Sequence, residues 1–138
     1  MYPEELVKPM REELTAVGFK ELRTPDEVDQ AMNEKSGTTF LMINSVCGCA
    51  AGNARPGVKM AIKNTSLPDR FVTVFAGQDA EATRHARSYM PGYPPSSPSM
   101  ALFKDGILVH MIPRHQIEGR MPDQIASELR EAFDAFCK

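Results

Sequence analysis

The chain has 138 residues, 42% hydrophobic and 25% charged, with a formal net charge of −2. That composition suits a single globular domain spanning 1–138 with its own hydrophobic core, and it excludes a disordered or fibrous chain. No cluster of Lys and Arg is dense enough to follow a phosphate backbone, so no nucleic-acid partner is expected.

From the N-terminus, the first segment, Pro3 to Val17, places Leu6, Met10, Leu14 and Val17 at helical spacing and stops at Gly18. Pro9 lies inside it and should kink the helix or delay its start. Thr24-Pro25-Asp26-Glu27 is a capping box with proline at the first helical position, and Val28, Ala31 and Met32 form the apolar stripe that follows. Thr38 to Asn44 is a continuous β-prone run of the kind buried on both faces. It leads directly into Cys47-Gly48-Cys49-Ala50-Ala51, whose small residues suit a helix start. Val58, Met60, Ala61 and Ile62 continue that helix beyond Pro56-Gly57, which should bend or interrupt it.

Phe71 to Phe75 is a second buried strand. Gly77-Gln78-Asp79 turns the chain, with Asp79 as the expected N-cap of a helix reaching about Tyr89. A proline-rich loop containing Pro91, Pro94, Pro95 and Pro98 follows. Met100–Phe103 and Ile107–Met111 flank Lys104-Asp105-Gly106, a hairpin signature. The last helix starts near Pro122 with an apolar face of Ile125, Leu129, Phe133 and Phe136. The order α-α-β-α-β-α-β-β-α predicts an α/β fold with a mixed sheet and helices on both faces.

The longest purely apolar run, Phe40 to Ile43, is far short of the ~20 residues that cross a bilayer, so no membrane partner is expected. Met1-Tyr2-Pro3-Glu4-Glu5 is acidic where a signal peptide is basic, and no apolar stretch follows. The expected location is therefore cytoplasmic and reducing, where three cysteines do not announce a structural disulfide framework. Two of them, Cys47 and Cys49, stand one glycine apart where a strand passes into a helix. Amides and dipole at such a start stabilise a thiolate, which is the nucleophile, and a neighbouring thiol can resolve a mixed disulfide. A Cys-X-Cys disulfide closes a small, strained ring, which makes it easily reduced and suits exchange, isomerisation or removal of a small-thiol cap. Two other readings stand beside this one: small residues packing at a strand end, or a metal site. A tetrahedral zinc site needs four ligands, and Cys137 and the histidines have no zinc-motif spacing, so no metal is expected. Cys137 itself reads as an inert, partly buried thiol.

Ser96-Ser97-Pro98-Ser99-Met100 precedes the hairpin. In a thioredoxin-like topology this position holds a cis-proline facing the cysteines, beside backbone that pairs with an extended substrate. Ser97 and Pro98 are thus candidate substrate-binding residues, against the plainer reading of a loop proline starting an edge strand. A hairpin returns the chain to where it began, so Arg114 and His115 should lie at the same end. A positive charge there would favour a Cys47 thiolate and attract carboxylates. The competing reading leaves both residues solvated in the loop.

Taken together, Asn44-Ser45-Val46-Cys47-Gly48-Cys49-Ala50-Ala51-Gly52, Ala54-Arg55-Pro56, Val72 to Asp79, Pro95 to Leu102 and Ile112 to Gly119 give the sequence a family likeness. It resembles the bacilliredoxins, thioredoxin-like proteins with a Cys-Gly-Cys motif, almost end to end. The resemblance implies a thioredoxin-like three-layer α/β/α sandwich with a mixed central sheet and extra N-terminal helices. It implies a thiol–disulfide oxidoreductase that binds no cofactor, takes bacillithiol as its exchanging thiol and acts on bacillithiolated client proteins. Cys47 would attack the mixed disulfide and take the bacillithiol, and Cys49 would resolve or modulate. A general protein disulfide isomerase, or a redox-sensing or metal-binding module, are the alternatives.

Overall fold

Seven consecutive buried residues, Thr38–Asn44, form strand β2 at the centre of the sheet. Side chains alternate across a strand, so Phe40 and Met42 enter one core while Leu41 and Ile43 enter the other. That is why the run is apolar throughout. The computed structural model describes residues 1–137. Beside β2 lies β3 (Arg70–Phe75), in parallel, and β1 (Lys20–Glu21) pairs in parallel with β3 at one edge. On the other side β4 (Ser99–Lys104) runs antiparallel to β2, and β5 (Ile107–Ile112) antiparallel to β4, giving the order β1-β3-β2-β4-β5. Asp105 and Gly106 both take positive φ, 52° and 84°, which the two-residue hairpin turn requires.

Helices cover both faces. Helix α3 (Arg55–Ala61) and helix α5 (Pro122–Phe136) pack on one, with Leu14 of α1 (Glu4–Thr15) joining their core. Helices α2 (Pro25–Met32) and α4 (Ala80–Arg87) pack on the other. The three-layer sandwich is therefore the expected one. On the α3/α5 face Phe19, Phe40, Phe71 and Phe133 meet edge to face, with ring centroids 5.2 Å apart for Phe19 and Phe71 and 5.6 Å for Phe40 and Phe133.

Four local expectations are corrected. Strand β1 is absent from the sequence reading because two charged residues carry no periodicity; its presence makes α2 a crossover between strands, so α1 alone precedes the sheet. The buried face of α1 is Val7, Arg11 and Leu14, while Leu6 and Val17 are 48% and 39% exposed. Arg11 turns inward because its guanidinium bonds Glu4 at 2.7 Å and Asp79 at 2.8 Å and lies over the Phe75 ring, 5.2 Å from its centroid. Pro9 does not delay the start of α1, which begins at Glu4; it sits on the exposed side, where water can replace the missing bond to the Glu5 carbonyl. Asp79 precedes α4 but makes no side-chain cap, because Arg11 takes its carboxylate.

Candidate active site

The chemistry gathers where β2 ends. Asn44 closes the strand, Ser45 is buried, and the chain turns through Val46 into Cys47-Gly48-Cys49. Ser45 Oγ accepts the Cys47 N–H at 3.0 Å, and the Cys47 carbonyl accepts the N–H groups of Ala50 and Ala51 at 2.9 and 3.1 Å. These bonds tie Cys47 into the first turn of the following helix. A π turn, Ala50–Ala54, comes next, closed by the Arg55 N–H on the Ala50 carbonyl, and α3 continues from it. Pro56 has no N–H for the Gly52 carbonyl, and the wider turn takes up that irregularity. The expected break at Pro56-Gly57 therefore falls earlier, against the cysteines, where π turns commonly mark function.

Both cysteines are free and half-buried, with their sulfurs 2.7 Å apart and sharing a hydrogen bond. The Cys49 N–H also points at Cys47 Sγ, at 3.4 Å. Burial pushes the Cys47 thiol up, but the Cys49 thiol, the amides of Cys49 and Ala50 and the charge of Arg114 outweigh it, leaving Cys47 below the ordinary thiol value. Cys49 is displaced the other way, up to about 11, by burial and by serving as hydrogen-bond partner to a neighbouring thiolate. The two thiols therefore differ: Cys47 is the more readily ionised and Cys49 the more firmly protonated. Gly48 is exposed, and a Cβ there would meet nothing within 4 Å, so the pair opens to solvent through its spacer.

The Ser97-Pro98 peptide is cis. Ser99, the next residue, pairs with Ile43 of β2, which puts the loop at the cysteine end of the sheet. Ile112 pairs with Met100, so β5 delivers a 3-10 turn, Arg114–Gln116, to that end as well. The Arg114 N–H donates to Ser96 Oγ at 3.3 Å and its Nη1 to the Ser97 carbonyl at 3.1 Å, while Nε donates to Glu118 at 2.8 Å. Arg114 is thereby brought to the loop and to the two sulfurs. His115, on the same turn, is exposed, and its ring takes no part in the bonds around them. Cys137 is buried beside Thr38, at the opposite end of β2, and burial pushes its thiol up. Among the described residues no group of three or more His, Cys, Asp or Glu side chains is placed to hold a metal, and no helix is long and apolar enough to cross a membrane.

Ser45, Arg55 and Glu118 build this site without having been singled out from the sequence. Arg55 is the clearest case: 1% exposed, it donates to Glu13 at 3.0 Å, to Asn44 Oδ1 at 2.9 Å and to the Ser45 carbonyl at 2.8 Å. The spacing Arg114-x-x-x-Glu118 was a readable signal for an i,i+4 pair; nothing local announces a buried arginine.

A dithiol at a strand end on this fold defines a thiol–disulfide oxidoreductase of the thioredoxin class. Solved structures agree on the fold: thioredoxin O2 from Arabidopsis thaliana superposes with a TM-score of 0.57 at 16% identity, over 87% of this chain and 95% of that one. The thioredoxin of Fasciola hepatica gives 0.58 at 20% identity, over 86% and 99%. Sequence relatives are much nearer. Residues 2–137 match the family described as Disulphide isomerase. Proteins named Bacilliredoxin from Koribacter versatilis and Salinibacter ruber are 55% and 58% identical, each over 99% of this chain and over 94% and 81% of their own lengths. One from Geobacillus kaustophilus is 53% identical over 99% of this chain and 94% of that one. The chain belongs to the bacilliredoxin family.

Proposed function

We propose that this protein removes bacillithiol from client proteins that carry it as a mixed disulfide. The observation that carries the reading is the geometry of the two sulfurs: Cys47 Sγ stands 2.7 Å from Cys49 Sγ and faces the Cys49 N–H at 3.4 Å, surroundings that lower the Cys47 thiol and raise that of Cys49. The Cys47 thiolate attacks the bacillithiol sulfur. The client–bacillithiol bond breaks, the client cysteine leaves as a thiolate and takes a proton, and a Cys47–bacillithiol disulfide forms. Capping Cys47 removes its negative charge and its hydrogen bond, two of the three leading causes that hold Cys49 up. Cys49 is then the easier to deprotonate, and Arg114 favours its thiolate. It attacks Cys47 Sγ, forming the Cys47–Cys49 disulfide and releasing bacillithiol. Two equivalents of a low-molecular-weight thiol restore the dithiol: the first opens the Cys47–Cys49 disulfide as a mixed disulfide, and the second attacks that bond and leaves as the thiol's own disulfide.

Arg114, held between Ser97 and Glu118, offers a guanidinium to the carboxylates of bacillithiol. Ser97 and Pro98 form the adjoining wall. The partners in this reading are bacillithiolated proteins and bacillithiol itself, in a reducing, cytoplasmic setting. The test compares Arg114→Ala with wild type on a bacillithiolated protein and on a neutral small disulfide. The expected result is a loss of about tenfold confined to the bacillithiolated substrate, the scale of one charge-assisted hydrogen bond. An equal effect on both substrates, or none on either, removes Arg114 from recognition. Faster repair of a scrambled protein disulfide than release of bacillithiol would favour general isomerisation instead.

A further inference from the structure

We propose that Arg55 is a positioning residue for Cys47, acting through the buried turn between β2 and the dithiol. This rests on the reading of Cys47 as the nucleophile. The Arg55 guanidinium lies beneath the turn and grips it at two acceptors with a single nitrogen: Nη1 donates to Asn44 Oδ1 at 2.9 Å and to the Ser45 carbonyl at 2.8 Å. Asn44 Oδ1 also accepts the Ser45 N–H, at 2.9 Å. Both faces of the Ser45 backbone are thus fixed, one directly and one through Asn44. That fixes the hydroxyl that receives the Cys47 N–H at 3.0 Å. The path from guanidinium to nucleophile runs through two hydrogen bonds and one residue.

The arginine is itself held from outside the motif. Glu13 of α1 accepts from Arg55 Nε at 3.0 Å and from Lys59 at 2.9 Å, and Asn44 Nδ2 donates to the Met10 carbonyl of the same helix at 3.1 Å. Burying an arginine carries a large desolvation cost unless it is paired and fully bonded. What the arginine provides, and an apolar side chain cannot, is several donors in fixed directions aimed at the turn's acceptors. Helix α1, which precedes the sheet, thereby becomes part of the support of the dithiol.

The test reads Cys47 and Cys49 separately, by peptide mass spectrometry after iodoacetamide pulses across pH 5 to 10, in the full chain. In Arg55→Met the Cys47 curve should move up by about one pH unit, about a tenfold loss of alkylation at pH 7, because a displaced Sγ loses its amides. Arg55→Lys, which keeps one donor group, should recover part of the shift. Ser45→Ala should move the curve in the same direction while leaving Arg55 and Asn44 in place, and it decides the matter should Arg55→Met not fold. Phe133→Leu serves as a destabilised control, remote from the turn, and should leave the curve unmoved. A folded Arg55→Met or Ser45→Ala protein with the wild-type Cys47 curve overturns the proposal, as does an equal shift in Phe133→Leu. Preferential alkylation of Cys49 in the wild type at neutral pH would instead overturn the assignment of the nucleophile, whatever Arg55 does to the Cys47 curve.

Discussion

Cys47 and Cys49 are the same residue type two positions apart, and their surroundings make them chemically different. Cys47 collects the amides of Cys49 and Ala50; Cys49 faces burial and its neighbour's negative charge. A thiol with a lowered pKa is thiolate above its midpoint and loses that form as pH falls through it; a raised one stays protonated until pH climbs to its own. Cys47 should therefore alkylate with a midpoint below the ordinary thiol value of 9.0, and Cys49 only towards about 11. Peptide-resolved alkylation of the wild type against pH checks this, and coincident curves would contradict it. At this scale the sequence was readable for placement: the two cysteines at a strand end, the cis Pro98, and Arg114 carried to the same end by a hairpin. It was not readable for Arg55 or Ser45. Their roles come from contacts with Glu13 and Asn44, made only once α1 lies against the turn.

Among the elements, the passage from β2 into α3 carries the function, and its form follows from Pro56 and Gly57. Proline removes a helical hydrogen bond, and the π turn just before it takes up the mismatch. Gly57 then lets α5 come close: a Cβ there would stand 3.0 Å from both Cβ and Cγ2 of Ile125 and 3.1 Å from the Pro122 carbonyl. In Gly57→Ala, overpacking of about 1–3 kcal/mol works against a gain of up to about 1 kcal/mol in helix propensity. Ile125 is fully buried and the carbonyl belongs to the backbone, so neither yields easily. The net expectation is a loss of about 1 kcal/mol, a fall in Tm of roughly 4 °C, measurable by thermal unfolding. An unchanged or higher Tm would mean that α5 can withdraw without cost. The sequence pointed to an interruption at these two residues but not to its place, because the i+5 bond depends on where the preceding turn begins.

For the whole molecule, what the sequence revealed was the set of elements with a period long enough to see. The strands β2, β3, β4 and β5 and the amphipathic α5 were legible because burial on both faces, a two-residue turn and a helical stripe each leave a pattern. β1 has two residues and leaves none. The inward face of α1 was hidden because a charged side chain, Arg11, occupies a core position through its carboxylate partners. β1 extends the parallel half on which α2 and α4 pack, and α1 reaches the turn below Cys47 through Met10 and Glu13.

If Cys47 takes bacillithiol and Cys49 then releases it, the intermediate can be trapped by removing Cys49. Cys49→Ala protein, mixed at neutral pH with a bacillithiolated client, should gain the mass of one bacillithiol less two hydrogens, on the peptide containing Cys47. Free client should appear in equal amount, and Cys47→Ala should gain nothing. A covalent adduct with the client itself, or no adduct while Cys47 remains alkylatable, would mean that Cys47 does not take bacillithiol.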